Sequence, residues 1–134
     1  LSFTVNDQDG ALLRSGEALA DAHALAQETD AVLINCSTPE VIPAALRAVR
    51  GFGKPFGAYA NGLERISDGF LTDKPTVDAL NLRYDFTPEL YADHALAWVA
   101  EGATIIGGCC EVSPAHIAEI AKRLEAEGHH IAAP

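Results

Sequence analysis

Four times along the chain a short apolar run gives way to a stretch whose apolar residues recur at helical spacing, and this alternation constrains the fold more than any other feature. Residues 1–5 are a β-branched and aromatic run ending in the turn cluster Asn6-Asp7-Gln8-Asp9-Gly10. Over 16–28, Leu19, Ala22 and Ala26, with Ala18 and Leu25 beside them, are spaced for a helix among good helix formers. The run 31–34 is continuously apolar, as in a strand covered on both faces, and stops at Asn35-Cys36. Ser37-Thr38-Pro39-Glu40 then offers a hydroxyl cap, a first-turn proline and an early acid to a helix carrying Val41, Ile42, Ala45, Leu46 and Val49. Gly51 and Gly53 end that helix, and 56–60 is a third strand closing on Asn61-Gly62. The stretch 63–87 lacks periodicity and exceeds a routine connection, which marks it as an active-site excursion. Thr87-Pro88-Glu89 repeats the cap signature before Leu90, Tyr91, His94, Ala95, Trp98 and Val99, with Gly102 as C-cap. A fourth strand, 103–106, runs into Gly107-Gly108-Cys109-Cys110, and Ser113-Pro114 opens a last helix with Ile117, Ile120, Ala121 and Leu124 on its apolar face.

Strand and helix alternating four times, with buried strands and short connections, call for an α/β fold with a parallel sheet covered by helices. Four such units make half of a (β/α)8 TIM barrel, whose full circuit needs roughly 250 residues. The chain has 134 residues and no methionine, and it opens in mid-strand, so the expectation is the C-terminal half of a barrel domain, about strands 5 to 8, with the N-terminal half absent. A small open domain of flavodoxin type is the alternative and needs no missing half. Nineteen acidic against nine basic residues, the latter scattered, leave no footprint for a phosphate backbone, so nucleic acid is not an expected partner. No apolar run reaches the ~20 residues of a membrane span and the first residues lack the basic and then apolar pattern of a signal peptide, which gives the expectation of a cytoplasmic protein with no membrane partner.

Three cysteines in such a chain argue against a disulfide framework and leave metal binding, redox chemistry or burial. Ligands of parallel α/β folds sit at the C-terminal ends of the strands, and all three cysteines fall there: Cys36 after the second strand, Cys109 and Cys110 after the fourth. Adjacent strand residues face opposite ways, so Cys109 and Cys110 can share an ion only where the backbone leaves the β region; Gly107-Gly108 is expected to supply that freedom, since glycine takes up positive φ and lets other chain segments approach closely. Three thiolates suit Zn2+ and leave a fourth position open for an incoming thiol, which zinc would deprotonate. Core packing and redox chemistry by the adjacent pair remain the other two readings. Asn35 and Asn61 end strands on the same rim and are candidates for binding substrate or orienting a ligand, against a local turn role. His94 reads as a core histidine beside Trp98, His116 as a surface residue of the last helix, and His129 and His130 as tail residues.

Ser2-Phe3-Thr4, Asn35-Cys36-Ser37, Tyr59-Ala60-Asn61-Gly62 and Ile106-Gly107-Gly108-Cys109-Cys110, in that order on the four strands, resemble the homocysteine S-methyltransferase family, as does Ser113-Pro114-Ala115-His116-Ile117. The resemblance implies a zinc-dependent barrel with Cys36, Cys109 and Cys110 as metal ligands and Asn35 and Asn61 in the substrate pocket. It implies methyl transfer from a sulfonium, betaine or folate-type donor to homocysteine, giving methionine. It also implies partners: homocysteine, a small methyl donor, and the N-terminal half of the barrel, which carries the family's amino-group glutamate. The apolar pair Phe70-Leu71 of the excursion is a candidate contact in a homo-oligomer. The competing reading is a non-catalytic α/β binding or scaffolding module whose cysteines are buried.

Overall fold

The computed structural model describes residues 1–64 and 81–132. Strand β1 (Ser2–Phe3) is followed by a 3-10 turn (Leu19–Ala22) and the short helix α1 (His23–Ala26), then β2 (Val32–Asn35), a 3-10 turn (Pro39–Val41) and α2 (Ile42–Val49). A further 3-10 turn (Arg50–Phe52) leads into β3 (Phe56–Tyr59), and α3 (Pro88–Ala100), β4 (Ile105–Ile106) and α4 (Pro114–Ala126) complete the order. The four strands pair in parallel, with Phe3 opposite Ile34, Asn35 opposite Tyr59 and Ala58 opposite Ile106. The sheet order β1-β2-β3-β4 follows the chain. A doubly wound domain reverses direction at a switch point, whereas here every strand lies beside its predecessor, as in a barrel. The alternation therefore reports an α/β fold wound like half a barrel, and the flavodoxin-type alternative is set aside.

The core lies on the helix side of the sheet. Val32 and Ile34 of β2 and Ala58 of β3 meet Ile42, Ala45, Leu46 and Val49 of α2, Tyr91, Ala95 and Trp98 of α3, and Ile120 of α4, all buried. Leu33, Asn35 and Tyr59, on the other face, are only partly covered, and Ile105 is exposed. The apolar run 31–34 is thus covered fully on one face and partly on the other. That second face carries a polar ladder, with Ser2 Oγ 2.8 Å from the Tyr59 hydroxyl and Thr4 Oγ1 donating to Asn35 Oδ1 at 3.0 Å.

Three local expectations are corrected. The helix expected over 16–28 shrinks to 19–26, because Leu12 bridges Ala18 and Gly16 turns the chain at φ 104°. Ser37 and Thr38 make no side-chain cap: Val5 N donates to Ser37 Oγ at 3.0 Å, tying β1 to β2, and Thr38 N donates to Asp7 Oδ1 at 3.2 Å. Ile117 is exposed, and Ile120 with Leu124 carries the packing of α4. Thr87 does cap α3, its Oγ1 accepting from Leu90 N, and Gly102 has φ 98° where the helix ends. Most of the excursion over 63–87, including Phe70-Leu71, lies outside the described residues; Leu63 and Leu82 form an antiparallel bridge at its base.

Candidate metal centre

Cys36 takes φ 45°, a left-handed backbone that costs a non-glycine residue about 1–3 kcal/mol and persists only where its surroundings hold it. They do so here. Cys36 N donates to Tyr59 O at 3.1 Å, the Ser37 hydroxyl donates back to Asn35 O at 3.0 Å, and Arg14 Nη2 reaches the Cys36 carbonyl at 3.5 Å. The turn throws the Cys36 side chain off the line of β2 and toward the end of β4.

From β4 the chain crosses Gly107 and Gly108, but neither has a positive φ. Their value is close approach: a Cβ on Gly108 would lie 2.1 Å from Val112 Cγ1, so only a bare backbone lets the turn fold onto Val112. The left-handed step comes later, at Glu111 with φ 66°. Cys109 N donates to Ala60 O at 2.9 Å, Gly62 N to Cys110 O at 2.9 Å, and Val112 N to Cys109 O at 3.2 Å, so the turn hangs on the end of β3.

The three sulfurs converge. Cys36 Sγ is 3.7 Å from Cys110 Sγ, Cys109 Sγ is 3.9 Å from Cys110 Sγ, and all three ligand atoms lie within 4.8 Å of one another. Zinc bonded to sulfur at ~2.3 Å in a tetrahedron requires sulfurs about 3.8 Å apart, so two edges already match. The set fits a soft dication. Burial, and then the neighbouring Cys36, pushes the Cys109 thiol up to about 12, and the same causes raise Cys110. Such thiols keep their protons until a cation displaces them. All three cysteines are free, Cys36 and Cys109 partly exposed and Cys110 exposed, which does not suit the module with buried cysteines.

Asn61 is fully buried; its Oδ1 accepts from Leu63 N at 3.1 Å and its Nδ2 points to Cys36 Sγ at 3.8 Å. Asn35 sits beside Cys36 but is held toward β1 by Thr4. Tyr91, also fully buried, donates its hydroxyl to Gly107 O at 2.8 Å, with Ala60 O at 3.3 Å, and burial raises its phenol above the usual value.

His116 is a correction, since the structure buries it at 7% exposure. Ser113 N can only donate, so the Nδ1 that it meets at 3.1 Å must accept; Phe86 O can only accept, so Nε2 at 3.3 Å carries the proton. His116 thereby ties the cap of α4 to the segment entering α3. Sequence spacing could not reveal a partner 30 residues away, although Ser113 three residues earlier is a capping-box signal. His94 is half-buried and stacked on Trp98 at 6.4 Å, close to its expected place.

The family model described as Homocysteine S-methyltransferase matches residues 1–124. "Homocysteine S-methyltransferase 3" of Zea mays is 31% identical over 134 residues, covering 97% of this chain and 37% of the relative. "Selenocysteine Se-methyltransferase" of Brassica oleracea var. italica is 29% identical over 126 residues, covering 91% and 34%. Among solved structures, the oxidized form of the homocysteine methyltransferase MmuM from Escherichia coli superposes with a TM-score of 0.60 at 31% identity, covering 87% of this chain and 33% of that one. The chain thus spans about a third of the length of these relatives.

Proposed function

The chain belongs to the homocysteine S-methyltransferase family, and from that premise we propose that it forms the zinc-binding rim of an enzyme that methylates homocysteine, giving methionine. The methyl donor in this reading is a sulfonium, betaine or folate-type compound. The observation that carries it is the trithiol cluster, whose 3.7 Å and 3.9 Å edges suit a tetrahedral ion with one position left for substrate. The zinc, held by Cys36, Cys109 and Cys110, would supply Lewis acidity that lowers the pKa of an incoming thiol.

Support of the metal site falls to the chain's own side chains. Asn61 donates toward Cys36 Sγ and so restrains that thiolate's direction and charge. Arg14 at the Cys36 carbonyl and Tyr59 O at the Cys36 amide hold the left-handed turn. Asn35, on the partly covered sheet face beside Cys36, is in this reading a substrate-pocket residue whose amide oxygen is oriented by Thr4 and whose amide nitrogen is left to meet the polar end of the acceptor. Completion of the pocket, including the group that recognises the amino acid, is assigned in this reading to a preceding half of the barrel.

Metal analysis of the reduced intact protein is expected to give one zinc per chain, with Cys109→Ala abolishing both the zinc and methionine formation. A zinc-free wild type, or a Cys109→Ala variant that keeps metal and activity, sinks the reading. A selenol acceptor is the second reading, favoured by the similarity to the Brassica protein; assays with selenocysteine beside homocysteine separate the two.

A further inference from the structure

We propose that Tyr91 is a positioning residue for the metal-binding thiols, its hydroxyl joining the end of β3 to the end of β4 so that Cys109 and Cys110 meet Cys36. The inference rests on the zinc-site reading above. Strand β4 is an edge strand of two residues, and past Ile106 the chain crosses two glycines before reaching the cysteines. Two glycines bring no side chains of their own to pack, and the backbone bonds that tie the turn to β3 and the residues just after it are Gly107 N to Ala58 O at 3.0 Å, Cys109 N to Ala60 O at 2.9 Å and Gly62 N to Cys110 O at 2.9 Å. The Tyr91 hydroxyl enters between the first two of these, donating to Gly107 O at 2.8 Å with Ala60 O as second acceptor at 3.3 Å. One proton thus engages the residue before Gly108-Cys109 and the residue before Asn61.

The ring that carries this hydroxyl has little freedom. Phe86 lies at 5.1 Å, Trp98 at 5.5 Å and His116 at 5.8 Å between ring centroids, the last two edge-on. A phenylalanine would fill the same space, so packing does not account for the oxygen. A buried hydroxyl is costly unless hydrogen-bonded, and here both acceptors belong to the segments that carry Asn61 and the cysteine pair. Restraint of ligand-bearing backbone by a buried polar group is the logic of outer-shell support at metal sites.

The test compares Tyr91→Phe with Ile120→Val in the intact, zinc-loaded protein, the second variant loosening the same core through α4. Zinc affinity is read by chelator competition, ligand geometry by the visible spectrum of the cobalt-substituted protein, and stability by thermal unfolding. Tyr91→Phe is expected to bind zinc about 10-fold more weakly, with an altered cobalt spectrum. Ile120→Val should unfold at a lower temperature while keeping wild-type zinc affinity and spectrum. Wild-type affinity and spectrum in Tyr91→Phe, or an equal loss in Ile120→Val, would overturn the proposal while leaving the zinc site intact. A wild type without zinc would overturn both.

Discussion

At the scale of single residues, the rim is built from conformations and protonation states that side chains adopt only under restraint. The two non-glycine residues with positive φ among the described residues are Cys36, a member of the sulfur cluster, and Glu111, which follows the other two cysteines. His94 shows the same dependence on surroundings in its charge. Desolvation lowers its pKa below 6.5, and Arg83 acts in the same direction, against the attraction of Glu40, 3.8 Å away, and of Asp93 and Asp85. The unfolded chain therefore takes up this proton more readily than the folded one. The stability that neutral His94 permits is fully present above its ordinary pKa and is lost as pH falls through the lowered value. Urea midpoints measured between about pH 5 and 8 should fall toward acid, and His94→Gln should flatten that fall. Equal slopes in both proteins would assign the acid sensitivity to other groups.

Among the elements, the β3–β4 pair matters most, because the cysteine turn hangs from it. A Cβ on Gly57 would lie 1.7 Å from Ile105 O and 2.6 Å from its carbonyl carbon, and backbone cannot move aside as a side chain can. Gly57→Ala should therefore separate β4 from β3, costing about 3 kcal/mol at the upper end of overpacking effects, with loss of metal as Cys109 and Cys110 drift. Gly51→Ala, where a Cβ meets nothing within 4 Å, is the control and should be neutral or slightly stabilising. Denaturant unfolding with zinc analysis of both variants checks the pair, and a stable, zinc-replete Gly57→Ala would show that the edge strand is not needed. These elements were largely legible in the sequence. The strand at 31–34, the Thr87 cap and the Gly102 stop report local physics, and the structure keeps them, although the strand is fully covered on one face only. The convergence of Cys36, Cys109 and Cys110 was legible too, since strand ends in a parallel sheet share a rim. Less legible was anything set by a distant partner. Ser37 bonds to Val5 instead of capping its own helix, His116 is buried against Phe86, and Gly108 is required by Val112 and not by its own φ. Each depends on tertiary neighbours that composition and spacing do not encode.

At the scale of the whole molecule, the described residues give the sheet one covered face, one partly covered face, and two edges, β1 and β4. None of the described helices is long and apolar enough to cross a membrane. Parallel strands are ordinarily covered on both faces, and a closed barrel leaves no edge. The proposal that this chain is the C-terminal half of a barrel thus makes a demand on Ile105, which is 39% exposed on edge strand β4 with its side chain away from the helices. In residues 1–132 expressed alone, the unpaired edges should drive self-association, and Ile105→Lys should reduce it, since a lysine on an edge strand opposes pairing with another chain. In a longer protein that contains a preceding barrel half, the same substitution should act in the opposite sense. Position 105 would then face a closed interior, where an unpaired ammonium is costly, so Ile105→Lys should destabilise the protein. Sedimentation velocity on the isolated chain and thermal unfolding of the longer protein read the two arms. A substitution that is silent in the longer protein would mean that position 105 remains open to solvent there, and the half-barrel assignment would fail at the residue where closure demands most.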